Sequence, residues 1–398
     1  MSASTDETTQ RYLAETICKD SLADNKITFI TGPRQVGRTT LAKSLLDSPE
    51  NYRSWDSDEF RKMWIRSPSE SLKSVGPGPI LLDEIHKDKK KWKNRVKGLY
   101  DMGLSGPLIV TGSARLDTFR KGSDSLMGRY IPYRIHPFSV GERKAPPKPK
   151  EIFFERSPAY PWNDLLNLSG FPEPLFKGNK ERAIRWSRLR TDQMIDQDIR
   201  DEKAIQEIQA FKNLVSLLPE RISGQFSINS IREDVGVAYA TVRAWVSLLH
   251  DFYFCFSIKP FSRKIKRSLV SEPKLYFFDA LRIPIGMTGQ RHENAVALHL
   301  LKACHYWTDS AQGEFDLFYV KDKEKREVDF LVTKNRAPWL LMECKSNNKQ
   351  PTKSLLYFKE QLKPEFTYQL VTDSHFHKEY AALGVTVISA EKFFASWV

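Results

Sequence analysis

GPRQVGRTT, residues 32–40, follows a short β-rich apolar run, KITFIT (26–31), and opens a stretch with helical spacing in which Leu41, Leu45 and Leu46 share one face. Strand, glycine loop and helix in that order give the local form of a phosphate-binding loop, GxxxxG-x-[ST]. Gly32 and Gly37 let the backbone curl so that its N–H groups turn toward the β- and γ-phosphates at a helix N-terminus. The expected nucleotide cradle is therefore Gly32, Pro33, Arg34, Gln35, Val36, Gly37, Arg38, Thr39 and Thr40, with Thr39 placed to ligate Mg²⁺. Arg38 is a departure, because such loops carry lysine there. A planar guanidinium is not interchangeable with a compact ammonium that fits between phosphates, so nucleotide binding is expected to survive in part and hydrolysis to be weak.

Two further buried strands are expected at PILLDE (79–84) and PLIVTGS (107–113), each closed by polar residues at its carboxyl end. Strands alternating with helical stretches imply a parallel sheet whose ligand lies at the strand ends. Asp83 and Glu84 finish the second strand, as carboxylates do where one holds Mg²⁺ and the next orients the attacking water. KAPPKPK (144–150) marks the edge of this first domain.

GPRQVGRTTLAKSLL, ILLDEIHK, IVTGSARL, SLMGR and HPFSVGE, in this order and spacing, resemble the AAA-superfamily ATPases of the prokaryotic type that carry a C-terminal domain of formerly unknown function; LSGFPEPLF (168–176) and the end of the chain continue the match. The resemblance implies ATP as ligand, Thr39 and Asp83 at Mg²⁺, Glu84 as catalytic carboxylate, and Thr111 or Ser113 as sensor of the γ-phosphate. Arg129 in SLMGR resembles an arginine finger reaching a neighbouring subunit's nucleotide, with Arg115 as second candidate, and self-association as a homo-oligomer, a hexameric ring included, follows. Arg182, Arg185 and Arg188 are candidates for a second sensor. Arg38 stands where the family has lysine, either as an introduced substitution that traps the nucleotide-bound state or as decay of the site; the intact Thr39, Asp83 and Glu84 favour the first.

Residues 227–250, SINSIREDVGVAYATVRAWVSLLH, read as two short helices joined at Val235–Gly236–Val237, a helix-turn-helix. Val242, Val246 and Leu249 fall on its buried face, leaving Tyr239, Thr241, Arg243 and Ser247 to meet DNA. FYFCFSIKPF (252–261) then returns as a wing would, and the overlapping run IKPFSRKIKRSLVSEPK (258–274) supplies Lys259, Arg263, Lys264, Lys266, Arg267 and Lys274 for phosphate, with Phe261 interleaved. HKDKKKWKNRVK (86–97) is read equally well as a solvated helix face.

EVDFLV (327–332) and WLLMECK (339–345) put Asp329 in one strand and Glu343 and Lys345 on one face of the next. This resembles the PD-(D/E)xK nuclease fold, with Glu293 in RHENAVALHLL as the acid of its first helix. The resemblance implies Glu293, Asp329 and Glu343 around Mg²⁺ or Mn²⁺, and Lys345 beside the scissile phosphate, with cleavage a separate question from fold.

The fold class is thus α/β: a P-loop AAA-type parallel-sheet core at 1–145, a helical lid and linker at 146–210, a winged helix-turn-helix at 211–262 and a PD-(D/E)xK nuclease-like α/β domain at 263–398. The chain's 398 residues carry 62 Lys+Arg against 49 Asp+Glu, and the resulting +13 favours a polyanionic partner. No apolar run reaches the length of about 18 residues needed to span a bilayer, and MSASTDETTQ is not a secretory signal, so a cytoplasmic protein away from membranes is expected. Cys18, Cys255, Cys304 and Cys344 have no metal-ligand spacing. The leading functional expectation is an ATP-binding ATPase acting on DNA, with branched and single-stranded DNA among its candidate substrates. A nucleotide-controlled metal-dependent DNA nuclease and a regulatory ATPase scaffold with a protein partner are the alternatives.

Overall fold

The computed structural model describes residues 11–88, 91–103, 106–112, 126–142, 148–199, 207–262 and 272–398. Ser113, Arg115, Arg263, Lys264, Lys266 and Arg267 lie outside the described residues. The chain divides into two compact units, Met1–His136 with Glu142–Pro146, and Pro137–Gly141 with Pro147–Val398.

The first unit is built on five parallel strands, β1 (Ile27–Thr31), β2 (Tyr52–Ser54), β3 (Ile80–Asp83), β4 (Leu108–Thr111) and β5 (Tyr130–Arg134), in the order β2-β3-β4-β1-β5. β1, β3 and β4 are buried along their whole length, as continuous apolar runs in a two-sided parallel sheet must be. On one face Ile27, Phe29, Ile80, Leu82, Leu108 and Val110 pack against Phe60, Trp64, Trp92, Val96 and Leu99. The last three come from the amphipathic helix Trp92–Asp101, whose Lys93, Arg95 and Lys97 are only partly buried.

The second unit holds an eight-stranded mixed sheet. Its strands are β6 (Cys255–Pro260), β7 (Lys274–Phe277), β8 (Phe315–Lys321), β9 (Glu327–Lys334), β10 (Ala337–Lys345), β11 (Phe366–Val371), β12 (His377–Tyr380) and β13 (Val385–Ser389), ordered β12-β13-β11-β10-β9-β8-β6-β7. The long helix Thr288–Asp309 crosses this sheet and buries Val296, Leu300, Ala303 and Trp307. Helices Ile228–Val235 and Tyr239–Asp251 meet at Gly236, whose φ of 75° is the left-handed end that glycine tolerates.

Two features differ from the sequence expectation. β6 is no free wing: it pairs antiparallel with β7 and parallel with β8, and four of its six residues are buried. The helix-turn-helix and β7 share one core, in which Trp245, Val246 and Leu249 join Leu275 and Phe277. Helices Trp162–Leu168 and Lys180–Gln193, expected as a lid on the ATPase core, belong to the second unit, where Ser187 donates to Asp279 at 2.6 Å and Arg291 donates to the Leu166 carbonyl. Among the described residues no helix is long and apolar enough to cross a membrane.

Candidate functional site

The loop after β1 turns through Gly32 (φ 153°), Gln35 (φ 63°) and Gly37 (φ 96°), and the helix Arg38–Lys43 starts directly behind it. Gly32 is required by proximity: a Cβ there would stand 2.3 Å from the Ile135 carbonyl oxygen, where β5 runs on and Ile135 donates its N–H to Thr31. The cradle therefore has the glycines where the backbone needs them.

Asp83, at the end of β3, is the hub facing this loop. Its carboxylate accepts from Thr39 at 3.2 Å, from Thr111 and from Tyr52 at 3.1 Å. The neighbouring Glu84 has φ 56°, a strained angle for a residue with a Cβ, and is tied by its N–H to the Thr111 carbonyl at 3.0 Å. Burial pushes its carboxyl above the usual carboxylate range, against the pull of Arg38 and then Lys87. Arg38 is 9% exposed, and its Nη2 lies 3.6 Å from the Glu84 carboxylate. The loop's guanidinium is thus spent in part on the carboxylate beside it.

Sequence reasoning missed the group that braces this loop. Arg11, buried, donates to Glu142 at 2.7 Å, to the Val36 carbonyl at 2.8 Å and to the His136 carbonyl at 2.5 Å. Tyr12 accepts from the His136 N–H at 3.1 Å and donates to the Arg134 carbonyl at 3.0 Å. The only signal was the pair of charges, Arg11 and Glu142, in stretches with no loop motif. Arg129 forks onto Asp101 at 2.6 and 3.3 Å, and its carbonyl accepts from Ile27, at the start of β1 and so at the opposite end of that strand from the loop.

In the second unit, Glu293, Asp329, Glu343 and Lys345 draw together around a residue that sequence reasoning assigned elsewhere. Lys274 was expected in the phosphate-binding basic run, but it is 3% exposed, with Nζ 2.7 Å from Glu327, 3.3 Å from Glu293 and 3.5 Å from Asp329. Tyr276 donates to Glu293 at 2.8 Å, and the Cys344 N–H donates to Asp329 at 2.9 Å. Lys345 pairs with Glu343 at 2.6 Å. Among the described residues no three His, Cys, Asp or Glu side chains are grouped to hold one metal, and the Lys274 ammonium lies within 3.5 Å of both Glu293 and Asp329, two of the three carboxylates expected around an ion. A cavity of 490 Å³ opens beside the cluster, lined by Glu293, Lys345, Ser346 and Gly289 among others.

Burial, with Asp329 adding to it, pushes the Glu343 carboxyl up to about 8 against the pull of Lys345. A folded-state value above the unfolded one means that this group's contribution to stability is fully present below the ordinary carboxylate range and is lost as pH rises towards about 8. Glu343→Gln is therefore expected to lessen the fall in melting temperature between about pH 5 and about pH 9. Scanning calorimetry checks this, and an unchanged or steeper fall would contradict it.

On the helix Tyr239–Asp251, Val242, Trp245, Val246 and Leu249 are buried while Tyr239, Arg243 and Ser247 face solvent and Thr241 is half-buried.

Comparison with known domain families matches residues 24–144 to an AAA domain, 161–280 to a domain of unknown function (DUF8612) and 288–393 to a second domain of unknown function (DUF4143). A search of curated proteins returns no match. Among solved structures, the Holliday junction branch migration motor RuvB of Thermotoga maritima is similar at 17% identity, over 68% of this chain and 97% of that one, with a TM-score of 0.32 that carries no argument about function. The chain therefore carries an AAA domain at residues 24–144, followed by two regions that match domains of unknown function.

Proposed function

We propose that this chain binds ATP with Mg²⁺ between Gly32 and Thr40, hydrolyses it slowly, and uses it to organise a homo-oligomer on DNA. The observation that supports the nucleotide reading is the convergence of Thr39, Thr111 and Tyr52 on Asp83 at the mouth of the loop. Thr39 and Asp83 would hold the ion, which when bound draws charge from the β- and γ-phosphates. Glu84 orients and deprotonates the attacking water, a role helped by a carboxyl that burial makes more basic than usual. Thr111 reads the γ-phosphate. Arg38 holds Glu84 back from that task and cannot sit between phosphates as an ammonium does. Since Arg129 lies at the far end of β1 from its own loop, a finger role for it falls on a neighbour's nucleotide and requires release from Asp101.

For DNA, the support is the open face of the second helix of the helix-turn-helix, where Tyr239 and Arg243 are exposed, together with the net charge of +13. Binding to labelled duplex, single-stranded and four-way-junction DNA, followed by fluorescence anisotropy with and without ATP and Mg²⁺, tests this reading. Tight, salt-sensitive binding that ATP strengthens is expected, and Arg243→Ala should weaken it about tenfold. Weak binding, equal for all three DNAs and indifferent to ATP and to Arg243, would replace it with the regulatory scaffold. The nuclease reading has less support, because the Lys274 ammonium lies 3.3 Å from Glu293 and 3.5 Å from Asp329, two carboxylates it would need.

A further inference from the structure

Two of the carboxylates expected to grip a divalent ion, Glu293 and Asp329, lie against a charge the chain supplies itself. Lys274 is fixed from both sides: its backbone pairs with Ile258 in the β6–β7 hairpin and bridges Gln225, and its side chain is almost wholly buried. Its ammonium reaches Glu293 on the long helix and Glu327 and Asp329 on β9. β9 presents Glu327 and Asp329 two residues apart and hence on one face of the sheet.

We propose that the ammonium of Lys274 permanently takes the place of a divalent cation among Glu293, Glu327 and Asp329, so that the C-terminal domain is a nuclease-like fold closed to metal and works without one. A divalent ion bound to carboxylate oxygens needs contacts of about 2.0–2.6 Å, and an ammonium already within hydrogen-bonding reach of the same oxygens fills that volume. Asp329 is engaged through both oxygens, one by Lys274 and the other by the Cys344 N–H. The local charges are already largely paired. Four carboxyl groups, Glu293, Glu327, Asp329 and Glu343, face three ammonium groups, because Lys321 lies 3.1 Å from Glu327 and Lys345 pairs with Glu343. Adding a doubly charged ion to carboxylates already paired gains little and leaves the displaced lysine buried without its partners.

The test is Mn²⁺ uptake by the full chain without nucleotide, read by electron paramagnetic resonance, for the wild type, Lys274→Met, Lys274→Ala and each of these with Asp329→Asn. The wild type is expected to show no saturable uptake up to about 1 mM, whereas the Lys274 variants gain a site that Asp329→Asn abolishes. Saturable uptake by the wild type that Asp329→Asn removes would overturn the proposal, and so would a folded Lys274→Met chain that takes up no Mn²⁺. Should neither Lys274 variant fold, the wild-type comparison with Asp329→Asn decides alone.

Discussion

Arg38→Lys is expected to raise the rate of ATP hydrolysis by about 10²-fold, the scale of adding one well-placed electrostatic contact to a transition state. Two effects act together. A lysine places a compact charge among the phosphates instead of a fork that does not fit there, and it frees Glu84 from the guanidinium 3.6 Å away. The surroundings of the loop are ordered for it: Asp83 is held by Thr39, Thr111 and Tyr52, and Gly32 and Gly37 have positive φ angles. Steady-state phosphate release by the two proteins measures the effect, with Glu84→Gln in the Arg38→Lys background returning the rate to the floor. A lysine variant no faster than the Arg38 protein would show that the loop is limited by something other than its charge. ATP affinity should change far less than turnover, because the backbone cradle is common to both.

Arg11→Ala is expected to be the most destabilising single change in the first unit, by about 3–5 kcal/mol, the range for removing one partner of a buried ion pair. Glu142 has no side-chain exposure at all, and Arg11 additionally satisfies two carbonyls, of Val36 in the phosphate loop and His136 beyond β5. Chemical denaturation followed by tryptophan fluorescence measures the loss. A shortfall in nucleotide affinity should accompany it even under conditions where the variant is folded, because the Val36 carbonyl loses the donor that fixes the loop. A folded variant with unchanged midpoint and unchanged ATP binding would remove Arg11 from any such role.

The parts of the fold legible in the sequence were those whose physical cause is local. β1, β3 and β4 are apolar runs because both faces of a central parallel strand are buried, and the phosphate loop shows itself through Gly32 and Gly37, whose positive φ angles favour glycine. Their edge neighbours were not legible: β2 has three half-buried residues, and β5 carries Pro132, which suits an outer strand with no ladder on one side. β12, His377–Tyr380, is polar and exposed and looks like a loop by composition. The site divides in the same way. Asp83, Glu84 and Thr39 stand where motif spacing puts them, yet Arg11 and Lys274 were missed or misplaced, since their roles depend on partners far away in the sequence. Lys274 sits in a basic run and was read by its neighbours' charge, whereas its carboxylates come from a helix and a strand that begin after it.

The shared core of the helix-turn-helix and β7 has a bearing on how the molecule can be taken apart. The chain passes from the end of the second helix at Asp251 into β6 at Cys255, with Phe254 held by its N–H to the Leu249 carbonyl at 2.9 Å. A fragment ending near residue 262 would keep Trp245 and Leu249 but lose Leu275 and Phe277 from the core they line together, so a cut there divides one core and does not separate two domains.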